Sequence, residues 1–314
     1  MALATLVHAA HAGISLARAR ASFTRSMMAL ALGGLALTAL FGTVLGVDKV
    51  WHILPGALFP TLHAHVHLAL LGWVLPTVLA VAARVYPMFL LAPETGVASA
   101  RVQLAGVAAG GPLVVIGLLL ETPAAVVVGA LLAATAVTAH VAWIGTMVRA
   151  RKRPRLDWGL AFALAGAVFL AAATALGMAL ATGLVAGPRA ALAYGVLALG
   201  GWASLTIVGM LLKIVPFLVW YRVYGPRAGR APVPTLAQLS WRTGEAAAFA
   251  RLVPGVAARA VTVALGDVIG LRIAGVALAL GAIAFASVLA GVLRHLVRTL
   301  RQPVVVTPVM RAAS

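Results

Sequence analysis

The sequence contains no cysteine and few acidic residues: six Asp and Glu stand against 24 Lys and Arg in 314 residues. Without cysteine the chain cannot form disulfides, thiolate metal sites or iron–sulfur clusters. Charged residues make up only 10% of it, whereas a soluble domain usually carries about a quarter. Because 63% of the residues are hydrophobic, the composition predicts an all-α, polytopic helical bundle embedded in the lipid bilayer.

The scarcity of carboxylates also limits the function. The six acidic residues lie in loops or at the ends of apolar segments: Asp48, Glu94, Glu121, Asp157, Glu245 and Asp267. Because ion-coupled transporters and proton pumps usually need a carboxylate within the membrane, this placement disfavours both classes. No Ser–His–Asp arrangement and no phosphate-binding loop stands out, so catalytic residues cannot be identified from the sequence. Met1 is not followed by a basic region, and we expect no cleaved signal peptide.

Long apolar runs occupy most of the chain. A membrane span needs about 20 apolar residues. Seven segments meet this length, and an eighth near Ala246–Val268 is weaker because Arg251, Arg259 and Pro254 interrupt it. The seven segments are Met27–Val47, Ala64–Leu90, Val102–Leu120, Ala124–Val148, Trp158–Leu184, Ala190–Trp220 and Leu271–Leu296.

The basic residues favour eight spans. In a soluble protein a net charge of +18 would indicate a nucleic-acid partner, but basic loops flanking apolar segments set membrane orientation instead. We therefore expect no nucleic-acid partner. The clusters lie on one side of the membrane only if the number of spans is even. Since basic loops face the cytoplasm, we expect both termini to be cytoplasmic, in a bacterial-type inner (cytoplasmic) membrane. The clusters are Arg18, Arg20 and Arg25; Arg149, Arg151, Lys152, Arg153 and Arg155; Arg222, Arg227, Arg230 and Arg242; and Arg294, Arg298, Arg301 and Arg311.

A short pattern occurs twice, 129 positions apart. Gly, Trp, Thr, a basic residue and Pro recur with the same spacing in the runs Gly72–Pro87 and Gly201–Pro216. The pattern predicts a 4+4 parallel repeat, with residues 1–150 forming a first four-helix half and residues 151–314 a second half. The alternative is coincidence in a sequence of low diversity. Leu192, Tyr194 and Val196 align with the three histidines of the first half, so the second half is a histidine-poor scaffold.

Those three histidines, His63, His65 and His67, alternate at the start of the second apolar segment. An imidazole in or near hydrocarbon usually has a functional partner. On a helix His63 and His67 share a face, and His65 points roughly the opposite way. One of them could ligate the iron of a b-type haem, or His63 and His67 could together chelate copper or zinc. A third interpretation has the rings facing the lipid headgroups without a ligand.

Two further residues are candidates for cofactor binding. His140 lies within the fourth apolar segment, about nine residues from the basic loop that follows. It is interpreted either as a second ligand or as a hydrogen-bonding partner of a neighbouring helix. Trp73 is interpreted either as a packing group or as a flat wall for a planar ligand.

The run His63–Trp73, followed by Arg84–Pro87, resembles the second-helix region of proteins related to the haem–copper oxidase catalytic subunit. The resemblance includes the cbb3-type subunit I-like group and, more loosely, the NnrS-like haem proteins. It implies that His63 or His65 ligates a low-spin haem, with Gly72, Trp73 and Pro87 as scaffold. It further implies an electron-transfer or accessory role in respiration or in O2 or NO metabolism, with quinol or a respiratory complex subunit as partner.

The chain departs from the full oxidases because it lacks a histidine pair on a late helix. We therefore expect no complete binuclear centre. Three alternatives stay open: a copper- or zinc-handling or oxidase-assembly protein, a small-solute transporter with the histidines as its gate, and a structural subunit without a ligand.

Overall fold

The computed structural model describes residues 2–54, 58–93 and 96–300, and within these ranges the chain is helical and contains no strand. Glu94, Arg301 and Arg311 lie outside the described residues. The all-α prediction is confirmed. The helices are α1 (Ala2–Ala17), α2 (Phe23–Trp51), α3 (Phe59–Leu90), α4 (Val97–Leu119), α5 (Pro123–Arg149), α6 (Trp158–Ala181), α7 (Pro188–Val223), α8 (Arg242–Leu265) and α9 (Val268–Leu300).

Eight of these helices, α2 to α9, are long and apolar enough to cross a membrane, which confirms the prediction of eight spans. The weak eighth segment is the continuous helix α8, even though it contains Pro254. It ends at Gly266, whose φ of 73° lies in the left-handed region that glycine adopts without strain. Its neighbour α9 packs closely against it, with Leu278 beside Gly255.

Two helices contain a π-helical segment each. The segments are Leu68–Val74 in α3 and Val196–Ala203 in α7, so they fall almost 129 residues apart and each holds one Gly–Trp pair of the repeated pattern. A π segment opens the backbone hydrogen-bonding pattern and is frequent at functional sites. The division into two halves stays a prediction, and these matched segments favour it.

The helices also pair in the same way along both parts of the chain. Helix α2 packs on α3 and α4 on α5, and correspondingly α6 packs on α7 and α8 on α9. Glycines allow these approaches, because Gly34 of α2 lies against the backbone of Gly72 and Gly201 lies against the ring of Phe169. These contacts place α3 against α2, α4 and α5, and α7 against α6, α8 and α9.

The buried core runs across the two parts of the chain without a break. Leu75 and Leu79 of α3 belong to the same cluster as Phe162 of α6 and Trp202 and Leu205 of α7. In a membrane interior, apolar side chains stabilise helix association mainly by close packing rather than by exclusion of water. The shared core therefore fixes α3 against α6 and α7, and with them the residues of the candidate site.

An ion pair and a cation–π contact join three helices at the end of the bundle where α6 begins. Asp157 caps α6 by accepting a hydrogen bond from the backbone N–H of Leu160, and it also accepts one from Lys213 of α7 at 2.5 Å. The ammonium of Lys213 lies 4.3 Å from the centre of the Phe89 ring of α3. Lys213 thus extends from the apolar region to a charged partner at the helix end, as snorkelling basic residues do.

Asp157→Asn should lower the free energy of unfolding in detergent by about 1–2 kcal/mol, because Asn still caps the helix but loses the charge opposite Lys213. Thermal unfolding of the purified variant measures this. Arg153→Gln is the control, since Arg153 contacts Asp157 at 3.3 Å but is largely exposed and should contribute less than about 1 kcal/mol. Equal destabilisation by both substitutions would contradict the assignment.

Candidate functional site

The three histidines of α3 lie in the two turns that precede its π segment, and His67 is the best ordered by hydrogen bonds. Its Nδ1 lies 2.8 Å from the carbonyl oxygen of His63. A carbonyl only accepts, so Nδ1 carries the proton and Nε2 keeps its lone pair. The backbone of His63 therefore fixes both the orientation and the tautomer of His67.

The lone pair of His67 faces the second part of the chain. The hydroxyl of Tyr194 in α7 lies 3.3 Å from Nε2 and donates to it. The two rings stack, with centroids 5.8 Å apart and planes inclined by 13°. This contact links α3 to α7 and was missed by the sequence analysis. The one sequence feature that draws attention to Tyr194 is its alignment with His65 in the repeat.

His65 points toward α2 instead. The ring of His65 lies against Gly42, where a Cβ added to the glycine would lie 3.0 Å from Cε1 of His65. The same ring meets the ring of Phe41 edge-on, with the two ring centroids 5.7 Å apart. The Nδ1 of His65 is buried and has no hydrogen-bond partner among the described residues. Buried polar atoms are rarely left unsatisfied, so this nitrogen is a candidate for binding a ligand.

His65 and Tyr194 occupy matching places in the two parts of the chain. Tyr194 packs against Gly177 of α6 and His65 packs against Gly42 of α2, and in both cases the closest ring atom would meet an added Cβ at 3.0 Å, although the two glycines are 135 residues apart. His65 and Tyr194 themselves are 129 residues apart, the spacing of the repeated pattern. Each part of the chain thus packs one of these rings against the preceding helix, and His67 lies between α3 and α7.

The arrangement disfavours a copper or zinc site formed by His63 and His67 alone. His63 and His67 lie one turn apart, but the side chain of His63 is exposed, whereas Nε2 of His67 is turned toward Tyr194 of α7. Within the described ranges, no group of three or more His, Asp or Glu side chains is placed to hold a metal ion. Copper and zinc sites usually have three or four protein ligands, so this pair alone is an incomplete site.

His140 forms a separate buried network between α4 and α5. It is 3% exposed, and its Nδ1 lies 3.2 Å from the side-chain oxygen of Gln103, whose amide nitrogen donates to the hydroxyl of Ser99 at 2.9 Å. Ser99 in turn donates to the carbonyl of Ala139, which closes the network. Since the amide oxygen only accepts, His140 donates through Nδ1. These contacts match the helix-bonding interpretation of His140.

Gln103→Leu should lower the free energy of unfolding by about 1–3 kcal/mol, because it leaves the buried Nδ1–H of His140 without an acceptor. Thermal unfolding in detergent measures the change. Ser99→Ala keeps the His140 contact, and the Gln103 amide that loses its acceptor borders a cavity where water can replace the hydroxyl, so this variant should cost less. A Leu variant as stable as the wild type would show that the network contributes nothing to the packing of α4 on α5.

Trp73 does not join the histidines. It is 39% exposed and lines a cavity of about 480 Å3 between α1, α2 and α3, together with His8, Leu35 and Thr77. Neither this cavity nor the one beside Gln103 is lined by His63, His65 or His67. As a wall for a planar ligand, Trp73 would therefore serve a place other than the histidine cluster.

No protein-family model, no curated protein and no solved structure matches this chain. The geometry of the site therefore carries the functional argument. The lone pair of His67 is oriented toward α7, and the buried Nδ1 of His65 lacks a partner among the described residues.

Proposed function

We propose that the protein binds a b-type haem through His67 and has an electron-transfer or accessory role in a bacterial inner membrane, with both termini cytoplasmic. The observation that carries the proposal is the 2.8 Å hydrogen bond from Nδ1 of His67 to the carbonyl of His63. Metal-ligating histidines almost always donate their second ring nitrogen in this way, which fixes the tautomer and raises the basicity of the ligating nitrogen. The resemblance to oxidase subunit I supports the same class of cofactor.

The donor set fits haem iron, which accepts neutral imidazole nitrogens from membrane helices. The lone pair of Nε2 of His67 accepts one long hydrogen bond, from the Tyr194 hydroxyl at 3.3 Å, which a metal ion would have to replace. Replacing that bond should cost about 1 kcal/mol, a small amount beside a metal–ligand bond. Nδ1 of His65, which has no hydrogen-bond partner within the described part of the chain, is a second imidazole nitrogen in the same two turns of α3, on the side that faces α2.

The chain orients the rings of the site. The His63 carbonyl and the stacked ring of Tyr194 hold the ring of His67, and Phe41 and Gly42 hold the ring of His65. A bound haem would supply a redox-active iron that carries one electron or binds a gas ligand. Quinol or a respiratory complex subunit is the partner that fits such a role.

The test is an optical spectrum of the full chain, purified in detergent after haem-replete expression, combined with a pyridine haemochrome assay. We expect a Soret band and the pyridine spectrum of haem b. Protein that stays colourless under these conditions would overturn the proposal. Metal analysis of the same sample separates the alternative, because copper or zinc without porphyrin would indicate a metal-handling protein.

A further inference from the structure

The cavity between α1, α2 and α3 that Trp73 lines, which we name the Trp73 cavity, has a volume of about 480 Å3. Small-molecule sites usually have volumes of about 300–1,000 Å3, so the cavity is large enough for a ligand. Trp73 lies near the middle of α3 (Phe59–Leu90), and the cavity therefore borders the middle of a membrane span. A ligand that reaches it has to be soluble in lipid.

Most of the lining is apolar, and the cavity opens on the surface of the bundle. Four lining residues belong to one stretch of α2: Met28, Ala31, Leu32 and Leu35. Ala4 and His8 of α1 and Trp73 of α3 line the cavity and are also exposed. A ligand can thus place its head in the cavity and keep a hydrocarbon tail in the bilayer.

Two polar groups without a partner face this apolar space. Neither the indole N–H of Trp73 nor a ring nitrogen of His8 has a hydrogen-bond partner in the part of the chain that the structure describes. The indole only donates, whereas a neutral imidazole has one donor and one acceptor nitrogen. The hydroxyl of Thr77, which also lines the cavity, donates to the carbonyl of Trp73 at 2.7 Å and can still accept.

The lining also limits the charge and shape of the ligand. Among the described residues that line the cavity, none is Asp, Glu, Lys or Arg, so an ionic ligand would lack a countercharge in an apolar environment. The flat indole of Trp73 suits stacking on another planar ring. An uncharged, lipid-soluble ring whose oxygen atoms form hydrogen bonds meets all of these conditions, and quinones are molecules of this kind.

We propose that the Trp73 cavity binds the head of a membrane quinone, with the ring beside the indole of Trp73 and His8 donating to a carbonyl oxygen. In the reduced form the ring hydroxyls donate instead, and the acceptor nitrogen of His8 and the hydroxyl of Thr77 receive them. Both forms of the molecule therefore find partners in the same lining.

This site locates the quinol partner of the proposed function, and in that respect it rests on the proposed function. Trp73 follows His67 by six residues on α3, a rise of about 9 Å along the helix. The quinone and the proposed haem ligand would thus lie on one helix, although no histidine of the His63–His67 cluster lines the cavity.

The test measures ligand retention by native mass spectrometry of the detergent-purified full chain, titrated with decylubiquinone or with dodecylbenzene. Dodecylbenzene has a ring and a tail but no oxygen atom. The wild type should bind decylubiquinone at least about tenfold more tightly, because only the quinone accepts hydrogen bonds. Equal binding of the two compounds would overturn the proposal, since the cavity would then accept any hydrocarbon, a lipid acyl chain included.

Two histidine variants form a matched pair. His8 and His11 are both exposed on α1, but only His8 lines the cavity. His8→Leu should weaken the binding of decylubiquinone about fivefold, the usual effect of losing a neutral hydrogen bond, and His11→Leu should bind like the wild type. Equal losses in the two variants would contradict the assignment of His8.

Variants of Trp73 separate its ring from its N–H group. Trp73→Phe keeps a flat ring without the donor and should weaken binding about fivefold, whereas Trp73→Ala removes both and should weaken it by about tenfold or more. Wild-type binding by Trp73→Ala would overturn the proposal. If the Trp73 variants fail to fold, the exposed histidine pair still decides the result.

The retention assay does not require bound haem, so its outcome is independent of the haem assay. Colourless protein that retains decylubiquinone would overturn the proposed haem and support this site. Coloured protein that does not retain decylubiquinone would support the haem and overturn this site.

Discussion

His67→Ala is expected to remove haem from the purified protein. The substitution deletes Nε2, the nitrogen to which we assign the iron, while the apolar surroundings of the site remain. Losing a residue that merely supports a metal ligand costs about 10- to 100-fold in affinity, and losing the ligand itself should cost at least as much. The pyridine haemochrome assay, normalised to protein, should therefore show at most about a tenth of the wild-type haem content.

His63→Ala is the matched control for this experiment. His63 acts on His67 through its backbone carbonyl, which the substitution preserves, so haem content should stay near that of the wild type. Tyr194→Phe should also keep haem, because the stacked ring remains and only the hydroxyl is lost. Loss of haem in His63→Ala together with retention in His67→Ala would move the ligand to His63, one of the two histidines that the family resemblance implies.

Gly34→Ala is expected to be the most damaging single substitution for the fold. A Cβ at position 34 would overlap the carbonyl oxygen of Gly72, so α2 and α3 would have to separate along their contact. Overpacking of a rigid contact costs about 1–3 kcal/mol and occasionally more, and here the opposing atom is backbone that cannot rotate away. We expect a strongly lowered melting temperature in detergent and a reduced yield of folded protein.

The neighbouring glycine provides the control. A Cβ at Gly33 would meet nothing within 4 Å, and Gly33 lies in the same helix. Gly33→Ala should therefore be neutral or stabilise the protein by up to about 1 kcal/mol, the difference in helix propensity. If both variants melt alike, the close approach of α2 and α3 at Gly72 is wrong.

Much of the fold could be predicted because length and hydropathy determine which segments cross a membrane. Seven spans were evident from apolar length, and the eighth, α8, followed from the requirement that the basic clusters share one side. The starts and ends were less certain, since α2 and α7 extend beyond the apolar segments that predicted them. The π segments could not be predicted, because the Gly–Trp pattern does not specify the spacing of backbone hydrogen bonds.

The candidate site was predictable only in its local part. Helical periodicity placed His63 and His67 one turn apart and His65 on another face, and the contacts of His67 with α7 and of His65 with α2 agree with that. The partnership of His67 with Tyr194 depends on how α3 and α7 pack, which spacing within one helix does not determine. For the same reason Trp73, six residues after His67, lines a different cavity beside α1.

The π segment of α3 also determines which way the histidines face. Each residue of an α-helix turns the chain by about 100°, so one residue fewer between Leu68 and Val74 would rotate the preceding two turns by that amount relative to the buried Leu75 and Leu79. His67 would then swing away from Tyr194. A single-codon deletion in this stretch would thus disconnect the imidazoles from α7 while every one of their side chains stayed in the protein.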